Sequence, residues 1–114
     1  MLLNKVLKIC FKNQGATLTS KLKNAPHKIG FYVSFYGYEK ILNITDTKAI
    51  KETLKAYKKL SKRINAYIGL WIEEDKIYFD LSQYIYTESA AYSVAVAERQ
   101  KAFYNILENK CVYL

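Results

Sequence analysis

The sequence predicts an α+β fold, with one domain over residues 1–114 in which an antiparallel sheet of five to seven strands carries two helices. Residues 66–82 alternate apolar and polar side chains on both sides of an acidic turn, which is the pattern of a β-hairpin. Residues 47–63 instead place apolar residues at helical spacing. The chain has 114 residues and is 51% hydrophobic, so it can bury one core and is too short for two domains. The predicted order of elements is β-β-β-α-β-β-α-β-β.

Three strands are predicted before the first helix. Residues 5–11 read as a strand that ends in a turn at 12–15. Polar residues weaken the next pattern, so residues 16–23 are expected to form an edge strand or partly a loop. Residues 29–42 are the most strand-like stretch, and Gly37 inside it predicts a bulge or bend.

The first helix is predicted over residues 47–63, with Thr45 or Asp46 as its N-cap. The helix divides into two faces. The apolar face is formed by Ile50, Leu54, Tyr57, Leu60 and Ile64. The opposite face carries Lys48, Lys51, Lys55, Lys58, Lys59, Lys62 and Arg63. Only Glu52 dilutes these cations, so the face is either a solvated surface or a binding surface.

The last third of the chain is predicted to contain a second helix and a hairpin. Residues 88–98 begin after Thr87 and are apolar nearly all round, so this helix is expected to be buried or packed on two sides. We end the helix near Arg99 and predict strands at 101–106 and 111–114. The alternative is a helix that continues through residue 107.

The charge is distributed unevenly along the chain. Residues 1–63 hold fourteen Lys and Arg against three acids, whereas residues 64–114 hold four against seven, within a total of +8. This asymmetry points to an anionic partner, with simple solubility as the alternative. No signal peptide and no stretch long enough to span a membrane is evident. We therefore expect a cytoplasmic protein in which Cys10 and Cys111 are free thiols or, alternatively, a disulfide.

No catalytic, metal or cofactor site is predicted. A pairing of the only histidine, His27, with a cysteine would lack any surrounding motif. Asp80 could form an acid pair with Glu88, although a surface or capping role is more common for such residues. The acidic residues at 73–75 read as a solvated turn. The sequence therefore favours a non-enzymatic protein.

Several spaced segments are similar to one group of proteins. They are Gly-Phe-Tyr-Val-Ser at 30–34, Gly-Tyr-Glu at 37–39, Tyr-Ile-Gly-Leu-Trp at 67–71, Ile-Tyr-Phe-Asp-Leu-Ser at 77–82 and Gln-x-Ala-Phe-Tyr-Asn at 100–105. Together they resemble small uncharacterised proteins encoded by bacteriophages and prophages. That group usually has Asp in place of Asn105, and often Gly or Asn in place of Arg99. The resemblance implies a mobile-element origin and action in the cytoplasm of an infected bacterium, and it implies no activity.

The expected function is binding. The first hypothesis is a phage accessory protein that binds a host or defence-system protein or ribonucleoprotein, with inhibition of the anti-CRISPR type as one such role. The predicted binding residues are the seven cations of the first helix with Tyr36 and Tyr38. A wider aromatic contact face would comprise Tyr32, Tyr36, Tyr38, Trp71 and Tyr78, unless these residues cover the second side of the sheet.

Two alternatives remain open. The first is a basic nucleic-acid-binding protein that uses the lysines of helix 46–63, although arginine is scarce. The second is a minor virion component. A homodimer is compatible with each hypothesis.

Overall fold

The structure, a computed structural model, describes Lys8, Lys12 and residues 15–114. Residues 15–114 form seven strands and two helices. These are β1 (Gly15–Leu18), β2 (Phe31–Ser34), β3 (Lys40–Asn43), α1 (Thr47–Ile64), β4 (Tyr67–Glu73), β5 (Lys76–Ile85), α2 (Glu88–Ala97), β6 (Ala102–Asn105) and β7 (Lys110–Tyr113). The strands form an antiparallel sheet in the order β1-β4-β5-β2-β6-β7, and β3 pairs with β5. The predicted α+β class is confirmed, and the element order of residues 15–114 has the predicted succession of strands and helices, although the first three strands do not coincide one to one with the predicted ones.

The chain forms two compact units. The first unit comprises residues 1–25 and 38–81, and the second comprises residues 26–37 and 82–114. Strand β5 belongs to the first unit up to Leu81 and to the second from Ser82 onward. The single domain predicted over 1–114 stays a prediction.

In the first unit, α1 packs against β4. The hairpin alternation holds as predicted: one side of each strand is buried and the other faces outward. The buried hairpin residues are Ala66, Ile68, Leu70, Ile77, Phe79 and Leu81. The hairpin turn consists of Glu74 and Asp75, and Glu74 adopts the left-handed conformation with φ of 55°. A two-residue turn of this kind matches the twist of antiparallel strands.

Helix α1 has defined ends. The Oδ1 atom of Asp46 accepts a hydrogen bond from the backbone N–H of Ala49 at 3.2 Å, which confirms Asp46 as the N-cap. Asn65 ends the helix in the left-handed conformation, and its N–H donates to the carbonyl of Ser61. Of the predicted apolar face, Leu60 and Ile64 are only half-buried.

In the second unit, α2 packs against β2 and β6. The core contains Phe31, Val33 and Phe103 beneath Ala91 and Ala95 of the helix. The prediction that α2 is buried or packed on two sides is wrong, because Val96 is 68% exposed and Tyr92 is 38% exposed. Residues 89–97 carry no charge, so their apolar pattern could not indicate which side of α2 faces solvent.

Residues 29–42 form two strands instead of one. β2 pairs with the end of β5, since Phe31 lies opposite Ile85, and β3 pairs with its start, since Lys40 lies opposite Phe79. The break falls at Gly37, whose φ of +89° is readily adopted only by glycine. The predicted bend is therefore confirmed. It separates β2 from β3, which pair with different parts of β5.

The other predictions for the ends of the chain have mixed outcomes. Most of the strand predicted over 5–11 and of the turn predicted at 12–15 lies outside the described residues. Among the described ones, Lys8 and Lys12 are helical and Gly15 begins β1, so the strand and the turn are wrong at these three positions. β1 is an edge strand as expected, although it is shorter than residues 16–23. β6 and β7 confirm the predicted terminal hairpin over the long-helix alternative.

Candidate functional site

Seven cations of α1 form the largest charged surface feature of the described residues. We call this set the cationic face: Lys48, Lys51, Lys55, Lys58, Lys59, Lys62 and Arg63. Lys51 is half-buried and the other six are exposed. On the opposite side of the helix, Ile50 and Leu54 are almost fully buried. The predicted division of the helix into two faces is therefore present in the structure.

The cationic face is long and regular. At about 1.5 Å per residue, the distance along the helix from Lys48 to Lys62 is about 21 Å. Lys48, Lys55 and Lys62 recur every seven residues, so they lie nearly on one line in steps of about 10 Å. The remaining cations flank this line over an arc of about 140°. The result is a straight cationic stripe with some width.

The exposed Glu52 lies within the arc of this face, but no cation of the face forms an ion pair in the described residues. Within the described part of the chain, ion pairs join only Lys76 to Asp75 at 4.0 Å and Lys110 to Glu108 at 2.9 Å. Like charges four residues apart on a helix destabilise it by about 0.2–0.5 kcal/mol per pair. Folding therefore gains little from this arrangement, although Lys62 and Arg63 favour the negative end of the helix dipole.

The core holds α1 in place beneath its cations. The Tyr57 hydroxyl donates a hydrogen bond to the backbone carbonyl of Tyr38, and the Tyr57 ring lies 5.6 Å from the Phe79 ring. Burial raises the pKa of Tyr57, and the negative charges of Asp80 and Glu39 raise it further. The phenol is therefore a stable neutral donor. Tyr38, predicted as a binding residue, is half-buried and helps to anchor the helix.

Tyr36 lies in the second unit, whereas the other predicted binding residues belong to the first. Its ring is 58% exposed, and the guanidinium carbon of Arg99 lies 4.9 Å from the ring centroid. The backbone N–H of Tyr36 donates to Oε1 of Glu98 at 2.8 Å. Tyr36 is thus an exposed aromatic that contacts Arg99 and Glu98 and belongs to a different unit from the cationic face.

The wider aromatic face is divided in the same way. Trp71 and Tyr78 belong to the first unit, where Trp71 is 50% exposed and Tyr78 is half-buried. Tyr32 belongs to the second unit and is buried, so it does not form a contact surface.

Tyr32 forms a cluster of three rings with His27 and Tyr84, and the sequence did not predict this cluster. The His27 ring stacks on Tyr84 with centroids 3.5 Å apart, and its Nδ1 lies 2.9 Å from the Tyr32 hydroxyl. Burial lowers the pKa of His27. The Tyr84 hydroxyl donates to the carbonyl of Ile29 at 2.7 Å. These contacts hold the loop that precedes β2 in place.

Gly30 makes this cluster possible. Its φ is +105°, and a Cβ atom at this position would lie 2.6 Å from the Tyr84 ring. No local pattern could have indicated the cluster, because Tyr84 lies more than fifty residues after His27 in the sequence. His27 therefore has a structural role in the loop.

The carboxylates considered as catalytic candidates belong to different units. Asp80 lies in the first unit, and Glu88 lies at the start of α2 in the second unit. The carboxylate of Asp80 occupies the space beside Gly69 that a Cβ atom would need. Among the described residues, no three His, Cys, Asp or Glu side chains are grouped so that they could hold a metal ion. Cys111 is a free, exposed thiol on β7, and Cys10 lies outside the described residues.

The comparisons with known proteins give no family. The chain matches no family model, no curated protein and no solved structure. None of the helices in the described residues is long and apolar enough to cross a membrane. In the described residues, the cationic face is the largest cluster of like charges on one helix or strand.

Proposed function

We propose that the protein is a non-enzymatic accessory protein that binds an anionic host macromolecule through the cationic face of α1. The observation that carries the proposal is the set of seven cations without a carboxylate within 4.0 Å in the described residues. A helix packed on a sheet carries its charges on the solvent side in any case, but solubility alone does not require nearly all of them to have the same sign. Such a concentration of cations raises the local potential and steers anionic partners toward the helix.

The biological setting rests on the sequence resemblance to proteins of bacteriophages and prophages. An accessory protein of this origin acts in the cytoplasm of the infected bacterium, on a host or defence-system component. Inhibition of a defence system is the role we propose, because masking an anionic component that such a system needs, its nucleic acid included, requires binding and no chemistry. The anchored helix supports this role, since α1 presents its cations from a fixed backbone.

Binding to immobilised heparin at increasing salt tests the cationic face. The variant Lys55→Glu/Lys59→Glu changes two exposed cations of the face. The control Lys28→Glu/Lys101→Glu makes the same change of net charge at two exposed lysines of the second unit. We expect the α1 variant to elute at much lower salt than the control. Equal elution of the two variants would show that net charge alone causes retention and would contradict the proposal.

The inhibitory role is tested by plaque formation. Bacteria that carry a defence system and express the protein are infected with a phage which that system restricts. We expect the wild type and the control variant to restore plaques and the α1 variant to fail. If the α1 variant restores plaques as well as the wild type, the cationic face does not serve this role.

A further inference from the structure

We infer that the cationic face binds the phosphate backbone of duplex DNA without reading its sequence. This inference rests on the proposed function, since it names the anionic partner of the same face. Three features of the face carry it: its dimensions, its residue types and the absence of exposed aromatic side chains on it.

The dimensions fit a regular polyanion. A DNA strand carries one phosphate per about 3.4 Å of helix axis, so a stripe of about 21 Å parallel to that axis passes about six phosphates of each strand, and it passes fewer per strand when it follows the major groove. Lys48, Lys55 and Lys62 lie along the stripe, and the flanking lysines widen it on both sides. Flexible lysine side chains can reach phosphates on either side of this line.

The residue types favour phosphate over bases. Six of the seven cations are lysines, and a lysine ammonium is a point charge without the planar fork that arginine uses to read guanine. Arg63 is the only arginine of the face and lies in the last turn of α1. Contacts of this kind position a protein on DNA and carry no sequence information.

The exposed surface of α1 also argues against two other partners. Protein interfaces have cores depleted in lysine and anchored by aromatic or large apolar side chains, and the exposed side of α1 has none, because Tyr57 is buried. Proteins that bind single strands stack bases on aromatic residues. Trp71 of the first unit is exposed, but it alternates along β4 with the buried Ile68 and Leu70. It therefore points away from the side of β4 on which α1 packs and does not belong to the cationic face.

The choice of DNA over duplex RNA follows from the width of the helix. An α-helix with its side chains is about 10–12 Å across, which matches the major groove of B-form DNA at about 12 Å. The major groove of A-form RNA is narrow and deep, so a helix cannot lie along it in the same way.

Fluorescence anisotropy with a labelled DNA duplex of about 20 base pairs, longer than the stripe, tests the inference. We expect binding that does not depend on the sequence, with a slope of log K against log salt between about −4.5 and −6.3, since five to seven contacts contribute about −0.9 each. The single strand of the same sequence and an RNA duplex of equal length should bind more weakly. Tighter binding to either of these would overturn the assignment to duplex DNA.

The variant Lys55→Gln/Lys59→Gln tests the location of the contacts. Each lost phosphate contact should make the slope less negative by about 1, so the expected change is about 2. Lys28→Gln/Lys101→Gln should leave the slope unchanged. An unchanged slope in the α1 variant would overturn the inference.

The failures of the two proposals are distinguishable. If the wild type does not bind the duplex at about 0.15 M salt but heparin retention and plaque restoration still depend on Lys55 and Lys59, the DNA inference is wrong and the proposed function stands. If neither heparin retention nor DNA binding depends on these lysines, the proposed function and the DNA inference are both wrong. Circular dichroism of each variant verifies that the helices are intact.

Discussion

In the first unit α1 buries Ile50 and Leu54 against the sheet, whereas in the second unit α2 buries Ala91 and Ala95. The exposed sides differ even more, since α1 presents seven cations and residues 89–97 of α2 carry no charge. Both helices nevertheless cover a sheet. The lysines of α1 are therefore not needed to keep such a helix in place, and this contrast favours a binding role for them.

The composition of the two units shows the same difference. The first unit holds fourteen Lys and Arg against seven acids, and the second holds four against three. The second unit exposes Tyr36, Tyr86 and Val96 instead, each at more than half of its surface. The charge asymmetry of the sequence is thus concentrated in one unit and largely on one helix.

The largest effect is expected from Leu54→Ala. Leu54 is fully buried, and truncating such a leucine costs about 2–5 kcal/mol because a cavity remains. Urea denaturation followed by circular dichroism measures the loss in the free energy of unfolding. Leu107→Ala is the control, since Leu107 is 71% exposed. A loss below about 1 kcal/mol for Leu54→Ala would contradict the packing of α1.

Enlarging a buried side chain should destabilise the packing of α2. Ala91 has no exposed surface, and a leucine there would overpack the contact with β2 and β6 at a cost of about 1–3 kcal/mol. The same substitution at the neighbouring Ala90, which is exposed, should change stability little. Equal denaturation midpoints for Ala91→Leu and Ala90→Leu would show that α2 does not approach the sheet this closely.

Replacing the histidine of the second unit should alter the pH dependence of stability. Because burial lowers the pKa of His27, the unfolded state binds more protons, and the free energy of unfolding falls as the pH drops below about 6.5. His27→Phe keeps a ring against Tyr84 and cannot titrate. Between about pH 7 and pH 5 the wild type should therefore lose stability relative to the variant. If the difference in free energy of unfolding between the wild type and the variant stays constant across this range, the titration of His27 does not affect stability.

The smallest effect is expected from Val96→Lys on α2. Val96 is 68% exposed, so a lysine there should change the free energy of unfolding by less than about 0.5 kcal/mol. Thermal and urea denaturation of the variant check this. A loss above about 2 kcal/mol would show that this side of α2 is packed, as the sequence pattern first suggested.

Patterns that depend on neighbouring residues predicted much of the fold. The hairpin of β4 and β5 follows from period-two alternation around a short acidic turn, and α1 follows from a cap at Asp46 and two chemically distinct faces. The cationic face was predicted for the same reason, because lysines at helical spacing define its direction without knowledge of the rest of the chain.

Features that depend on distant residues were not predictable. The strand pattern over 29–42 cannot reveal that β2 and β3 pair with different halves of β5. The solvent side of α2 is fixed by its contacts with β2 and β6, and its own residues carry no charge to mark it. The stacking of His27 on Tyr84 likewise arises from the fold.

We propose that α1 of the first unit binds the anionic partner. Backbone amide chemical shifts of the ¹⁵N-labelled protein, recorded during titration with a DNA duplex, test it most directly. We predict shifts concentrated at the amides of Thr47–Ile64, with little change at Tyr36 and Val96 of the second unit. Shifts concentrated at Tyr36 and Val96 with α1 unaffected would place the binding surface on the second unit and contradict the claim.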